Sequence, residues 1–581
     1  MTNLRAQAHQ PQRARRPRHA RPRVAAAIDF GTHGSGFAWA FTSEQQRPIA
    51  ERRLTFHMEW IDQPAPYVKT RSALLVDAGG KVLDWGFAAA RRYKLESRGG
   101  TDIGLEHGFK MRLPEGDPAA ARLVTRYLRE LYHYAVDRIT DEAQVREDEI
   151  RWCVTVPAIW RDRERHLMRG AAVAAGMPDD VRRLLIAVEP EVATQYCQGH
   201  LQLSAGADGE QEPGESAMLV IDAGGGTVDL SSFRIDAAGS LTELGHASGG
   251  PHGGTFVDRA FLVNVLAKRI GGDLLHRLQV DLPAAVLEIL DNWERDKRFF
   301  DPSRGAPFNL PLPVKLYQLL SSEGRLARFA ASQQGVEEPI VLSNAEVKAA
   351  FDEVVEPILA LVDEHLARVG AGRLDHVFLV GGFAQSPYLR SRLTQHLHGR
   401  AAVQVPPNPA SAVLAGAVHF ALDPDVVIAR KSPRTYGIAT NLPFDDALDP
   451  PERLLPGNDN GRRLCMDRFE AIVKRDDLLP VDTERKVTLF PVSDTETELE
   501  LVMLGAEAAD VPRYADDPQV QVLGTVNVPI GPANGRAAAE RGVVLTLAFG
   551  GTEIAVSAVD AASGRTLQHR IMFASMGRGG A

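Results

Sequence analysis

Two aspartates set in glycine-rich turns are the residues of this sequence best placed to do chemistry. The stretch Ala217–Ile235 reads AMLVIDAGGGTVDLSSFRI. An apolar run from Met218 to Ile221 delivers Asp222 to a turn of Gly224, Gly225 and Gly226, and Val228, Leu230 and Phe233 carry a second strand away. Consecutive glycines let backbone N–H groups approach an anion and allow turn dihedrals that a Cβ would forbid. A carboxylate beside such a turn calls for a cation between it and the anion. The economical reading is a nucleotide phosphate with Mg2+, held through one or two carboxylates and waters. The plain alternative is a structural hairpin with a glycine bulge.

The pattern occurs twice. Val24–Phe41 reads VAAAIDFGTHGSGFAWAF, again an apolar strand, then Asp29, a turn with Gly31, Thr32, Gly34 and Gly36, and a second apolar strand. Two such hairpins predict two similar lobes facing each other across a cleft, with a phosphate chain clamped between them. The spacing is neither G-x-G-x-x-G nor G-x-x-x-x-G-K-[ST], so the phosphates would be held by hairpins and not by a helix N-terminus.

The chain that must position these turns has 581 residues, 44% hydrophobic and 24% charged, and predicts three or four globular units. A formal net charge of -9 argues against nucleic-acid binding by the body of the protein. The three cysteines, Cys153, Cys197 and Cys465, have no zinc or C-x-x-C spacing and read as buried residues of a reducing, cytoplasmic compartment. No apolar run is long enough to span a membrane. Residues 1–23 carry seven arginines and no acid, and read as a disordered, solvated tail or as a basic arm for an acidic partner, nucleic acid included.

Along the chain, Leu54–Tyr67 and Ser72–Trp85 read as strands, and helices are predicted over Pro118–Asp137, Arg161–Gly176 and Glu191–Leu201. Ile150–Pro157 and Arg183–Val188 read as strands, and Ser204–Ser216 as an exposed loop. Gly245–Thr255 is a glycine-rich loop leading to a helix from Phe256 to Ile270. Further helices cover Ala284–Arg298, Asn344–Val369 and Pro387–His398, with a strand at His376–Phe383. Strands and helices in alternation indicate α/β units. Val426–Pro433 reads as a linker. Beyond it six short alternating segments, from Arg463–Val473 to Glu553–Val559, predict an all-β domain, a sandwich.

In this order the motifs resemble the heat-shock-protein-70 (DnaK-like) family, most closely its atypical branch with IDFGT in the first hairpin. The resemblance covers residues 24 to about 575. It implies an α/β actin-like ATPase domain of two RNase-H-like lobes (24–425), a linker (426–434) and a β-sandwich that binds extended peptides (435–575). By motif, Asp29, Gly31 and Thr32 would form the first phosphate hairpin, and Asp222, Gly224, Gly225, Gly226, Thr227 and Asp229 the second. Asp29 and Asp222 would hold Mg2+ through water. Lys110 in FKM resembles the lysine that meets the γ-phosphate and the attacking water. Glu189 in AVEPEVA resembles the carboxylate near the metal, and Asp222 or Asp229 would orient or deprotonate the water. Glu294, Lys297 and Arg298 resemble the helix packed around adenosine, with Gly253, Gly254, Gly381 and Gly382 bordering the nucleoside. Pro157 and Arg165 resemble the proline switch that relays nucleotide state.

The sequence also departs from the family. His33 and Gly34 replace the second threonine and its neighbour. Gln385 stands where an adenine-stacking arginine is usual, and Ala410 where an acid follows Asn-Pro. These changes imply weaker nucleotide affinity or looser base preference. The linker lacks the acidic-then-leucine run that couples the domains, and the chain stops soon after Phe573, so a helical lid is not expected and peptide exchange would be fast. The resemblance thus implies a chaperone-like ATP-binding protein with slow Mg2+-dependent hydrolysis. Its partners would be unfolded or extended peptide segments or a specific client, together with a co-chaperone. The alternative is a nucleotide-gated scaffold without significant turnover. A small-molecule kinase would leave the β-domain without a purpose.

Overall fold

The computed structural model describes residues 21–96, 102–208, 215–305, 308–370, 374–456, 463–481, 483–508, 510–549, 551 and 553–568. Most of the arginine-rich tail, residues 209–214 of the expected acidic loop, and Phe573 lie outside these.

The two hairpins stand at the centres of two sheets with the same strand order. In the first sheet the order is Thr55–Phe56, Gly34–Phe41, Val24–Phe30, Ile150–Val156 and Leu184–Val188, with Thr70–Arg71 also paired to Gly34–Phe41. In the second it is Leu241–Gly250, Val228–Ile235, Ser216–Ala223, His376–Val380 and Val403–Gln404. In each sheet the hairpin is antiparallel and its first strand runs parallel to the next strand outward.

Both central strands are buried on two faces, and residue parity assigns the faces. Val24, Ala26, Ile28 and Phe30 enter the first lobe's core, and Leu219, Ile221 and Ala223 enter the second's. The alternate residues, Ala25 and Ala27 on one strand and Met218 and Val220 on the other, meet in a third core shared by both lobes. Helices Glu189–Asp208 and Ala412–Leu422 fill the shared core with Val192, Ala193, Cys197, Leu414, Ala417 and Val418. They pack so closely that a Cβ on Gly416 would strike the Val192 carbonyl.

Several expectations are corrected. Leu54–Tyr67 pairs only at Thr55–Phe56, because Pro64 and Pro66 withdraw ladder donors and the chain is pinned as a loop by Trp60 Nε1 donating to the Tyr67 carbonyl at 3.0 Å. The helix expected to end at Leu201 runs from Glu189 to Asp208. Gly245 to Gly250 belong to a strand, their missing side chains admitting Val369 and Ile159. The expected linker contains a strand, Val427–Lys431, that pairs parallel to Leu241–Gly250 and antiparallel to Leu478–Pro480. The second lobe's sheet therefore includes a strand from the region beyond it.

That region contains two further four-stranded antiparallel sheets among the described residues. One holds Thr435–Pro443, Leu464–Val473, Glu498–Ala506 and Val520–Pro529; the other Glu484–Leu489, Val543–Ala548, Ala555–Asp560 and Thr566–Gln568. Ile438, Leu501 and Met503 from the first meet Leu545, Leu547 and Val556 from the second in one core. The six segments expected as strands all form strands. No helix among the described residues is long and apolar enough to cross a membrane.

Candidate functional site

Parity also places the carboxylates. Asp29 follows Ala25 and Ala27 on the face turned toward the other lobe, Asp222 follows Met218 and Val220, and Glu189 follows Leu185 and Ala187. Asp229 pairs in register with Asp222 and so projects from the same face. The four acids thus form the polar end of the apolar interface between the lobes, and all four are buried. Thr155, two residues beyond Cys153 on the same row, donates to Asp29 Oδ1 at 3.1 Å.

Two lysines answer this charge. Lys110, on the short helix Phe109–Arg112, donates to Glu189 Oε1 at 2.7 Å. Its ammonium lies 5.7 Å from the Phe30 ring centre and 5.5 Å from that of Trp160. Lys69, which sequence reading did not single out, sets its Nζ 2.6 Å from Asp29 Oδ2, an ion pair whose angles are poor for a hydrogen bond. Four carboxylates against two ammonium groups leave Asp222 and Asp229 without a cationic partner of their own. Burial, with Glu189 nearby, raises Asp222 well above the usual carboxylate range, and it lifts Asp229 to about 7. Burial also raises Glu189 despite Lys110.

The glycine turns close the cleft around these groups. Gly253, Gly254 and Thr255 donate their N–H groups to the carbonyls of Gly226, Gly224 and Gly225 at 3.2, 3.0 and 2.9 Å. A Cβ on Gly253 would strike Gly225, and one on Gly226 would strike Thr32 and Met111. The first and second hairpins therefore touch at their tips, with His33 beside Gly225. Gly381, at φ 91°, backs directly onto Asp222, whereas Gly382 faces open space. Gly31 and Thr227 complete the two turns.

The helix Pro283–Lys297 reaches the same place. Glu294 Oε2 lies 3.0 Å from His33 Nε2, joining the first hairpin to the second lobe across the cleft. Burial opposes the charge of Glu294, yet His33 and Lys297 hold its carboxyl below the usual range. Lys297 donates to the Gly254 carbonyl at 2.9 Å and pairs with Asp258, so it ties its helix to the glycine loop. Arg298 and Gln385 are exposed, and Ala410 is buried. Pro157 and Arg165 meet at Trp160 beside the site: the Trp160 N–H donates to the Pro157 carbonyl at 3.2 Å, Arg165 Nε donates to the Trp160 carbonyl at 3.0 Å, and the neighbouring Ile159 N–H donates to Asp229 Oδ1 at 3.2 Å. Helix Asp162–Ala174, which follows, meets the β-region. Arg169 Nε lies 2.7 Å from Glu553 Oε1, and Tyr436 donates to Asp162 at 3.0 Å.

Lys69, Thr155 and Arg169 escaped the sequence reading, and His33 entered it only as a departure from the family pattern, without its Glu294 partner. A threonine inside the apolar run IRWCVTV was the one signal available for Thr155; the partners of the other three are remote in sequence. Among the described residues no three His, Cys, Asp or Glu side chains converge closely enough to ligate an ion by themselves. The unpartnered, buried Asp229 Oδ2 and the all-oxygen donor set nonetheless suit Mg2+ carried in with phosphate and water as most of its shell.

A family model described as Hsp70 protein matches residues 136–444. Human heat shock 70 kDa protein 12B is 29% identical, over 97% of this chain and 92% of its own length. Human heat shock 70 kDa protein 12A is 28% identical, over 95% and 91%. The chaperone protein DnaK of Picrophilus torridus is 26% identical over 60% of this chain and 52% of its own. Duplicated hairpin sheets, a carboxylate-lined interlobe face and the family match agree, and the chain belongs to the Hsp70 family.

Proposed function

We propose that this chain binds Mg2+·ATP between its two hairpins, hydrolyses it slowly to ADP and phosphate, and couples nucleotide state to peptide or protein binding by its two-sheet β-region in the cytoplasm. The family's actin-like, nucleotide-binding character is the starting point. The observation that carries the reading is the convergence of Asp29, Glu189, Asp222, Asp229 and Lys110 on one interlobe face, beside two glycine turns whose tips meet there.

When bound, Mg2+ would neutralise phosphate charge, with Asp29 and Asp222 holding its waters. Lys110 neutralises charge developing on the γ-phosphoryl oxygens. With a pKa of about 7, Asp229 can accept a proton from an attacking water near neutral pH. Glu189 holds Lys110 in place. Three cysteines, all buried and unpaired, suit a reducing compartment. The two four-stranded sheets with a common core support reading the β-region as a peptide-binding sandwich.

Single-turnover hydrolysis of Mg2+·ATP by the wild type, Lys110→Ala and Asp222→Asn is the test. Slow phosphate release in the wild type, reduced by about a hundredfold or more in both variants, is the expected result. A second reading, a nucleotide-gated scaffold, draws support from the His33–Glu294 contact, which ties the first hairpin to the second lobe across the cleft. Tight ATP binding by the wild type with no phosphate release would select it.

A further inference from the structure

His33 stands at the tip of the first hairpin, where a turn that offers backbone N–H groups to an anion has no need of an imidazole. Its backbone is fixed there: the Ser72 N–H donates to the His33 carbonyl at 2.9 Å, and a Cβ on Gly225 of the second hairpin would lie 2.9 Å from His33 Cβ. From the meeting point of the two tips the ring reaches helix Pro283–Lys297 of the second lobe, with Nε2 3.0 Å from Glu294 Oε2. The histidine side chain is 38% exposed and the glutamate 15%, so the imidazole can exchange its proton with solvent while the carboxylate is largely shielded.

That helix meets the first lobe along one face. Ala284, Leu287, Asp291 and Glu294 follow at helical spacing and so line up. Ala284 and Leu287 pack against Leu75, Ala89 and Tyr93 of the first lobe, and Asp291 pairs with Arg71 and Lys94. Of these contacts only the one at Glu294 is made to a histidine, the side chain whose charge ordinarily changes near neutral pH. Glu294 also has a partner on its own helix, for Lys297 Nζ lies 3.6 Å from its Oε1. Around the ring stand Lys297 and Arg298 of the same helix, Asp258 of helix Gly254–Ala260, which Lys297 holds, and His107 of strand Ile103–His107, with Arg71, Glu106 and Arg112 about it. An imidazolium bonds Glu294 with charge assistance and joins the lobes; a neutral ring keeps at most a bond of about half that strength. Lys297 then retains the carboxylate within the second lobe.

We propose that His33 is a protonation-dependent latch between the lobes: as an imidazolium it holds Glu294 and keeps the hairpin tips together, and on losing its proton it loosens the last turn of helix Pro283–Lys297, so that acid slows and alkali speeds release of a bound nucleotide. His33 is a positioning residue, acting through Glu294. The tie stabilises the fold at acid pH, and its contribution is lost as pH rises through the histidine range. The latch is tested by thermal unfolding of the full-length wild type, His33→Thr, Glu294→Gln and the double variant at about pH 5.5 and about pH 8.5. At acid pH His33→Thr should melt a few degrees below the wild type, and the double variant no lower than Glu294→Gln alone. At alkaline pH His33→Thr should melt with the wild type, and His33→Arg, a cation throughout, should melt above it. Losses that add in the double variant, or a loss in His33→Thr that is the same at both pH values, would overturn the proposal.

The effect on release rests on the nucleotide reading, and is measured by chasing a fluorescent ADP analogue from its Mg2+ complex at the same two pH values. The wild-type rate should rise about fivefold from acid to alkali, the scale of one partly exposed ion pair. His33→Thr should be fast at both and His33→Arg slow at both. Wild type and His33→Thr sharing one pH profile would overturn the proposal. Absence of analogue binding by all the proteins, with the melting pattern as expected, would leave the latch as assigned and overturn the nucleotide reading.

Discussion

Lys110 and Glu189 are each other's solvent. Their side chains are 3% and 10% exposed, so removing one leaves a buried charge with nothing to answer it. Lys110→Met should cost on the order of 3 kcal/mol in urea unfolding, and Lys110→Met with Glu189→Gln should recover most of that loss. An additive double variant would mean that the two groups do not interact. Gly226 makes a second residue-scale prediction. A Cβ there would strike Thr32 and Met111 on the opposite lobe, so Gly226→Ala should wedge the hairpin tips apart. Calorimetry should show nucleotide affinity lowered by about a hundredfold, with far-UV circular dichroism unchanged. The aspartates and glycines behind these predictions were legible because they sit inside short local patterns. Lys69 was not, and His33 was legible only as a departure within the first hairpin, because what defines each is a partner brought near only by folding: Asp29 for Lys69, Glu294 for His33.

The strand Val427–Lys431 carries the element-scale consequences. Its apolar run was legible, but its place was not: Pro424 and Pro433 bracket it as they would a linker, and only its parallel pairing with Leu241–Gly250 makes it part of a sheet. Around it lies a cavity of about 100 Å3 lined by Glu191, Glu243, Arg430 and Tyr436. Glu243 accepts N–H groups from Lys431 and Ala247 there, at 2.7 and 3.0 Å, while burial raises its pKa from 4.5 to about 7. The folded chain therefore keeps a proton that the unfolded chain gives up. The stabilisation is complete below the ordinary glutamate range and is lost as pH rises through about 7. Glu243→Gln should remove a pH dependence on the order of 2–3 kcal/mol between pH 5 and 8, gaining stability relative to the wild type at the alkaline end. An unchanged pH profile would show that Glu243 ionises freely. Arg169 makes the other junction contact, 3% exposed and facing Glu553 at 23%. Arg169→Ala should release the β-region from helix Asp162–Ala174, seen as faster cleavage between the two in limited proteolysis. It should also cost on the order of 2–3 kcal/mol, because Glu553 is left partly buried and alone.

The whole molecule turns on the shared core, in which small residues from both sheets pack around helices Glu189–Asp208 and Ala412–Leu422. The alanine-rich strand VAAAIDF looked unremarkable as a buried strand; its alternate alanines matter because two helices must come within backbone contact of each other there. Gly416→Val should drive a side chain into the Val192 backbone and destabilise both lobes in one transition, by on the order of 3 kcal/mol or more. Two separate transitions would mean that the lobes fold independently. The continuous second sheet has a consequence in mechanics. Strand Val427–Lys431 lies between Leu241–Gly250 and Leu478–Pro480, so tension applied to the β-region along the strands loads its ladders in shear, several hydrogen bonds at once and not one after another. Leu241–Gly250 ends with Gly249 opposite Asp229 and Gly250 opposite Val228. A tug on whatever the β-region grips is thereby delivered, through backbone alone, to the turn that would hold the phosphates.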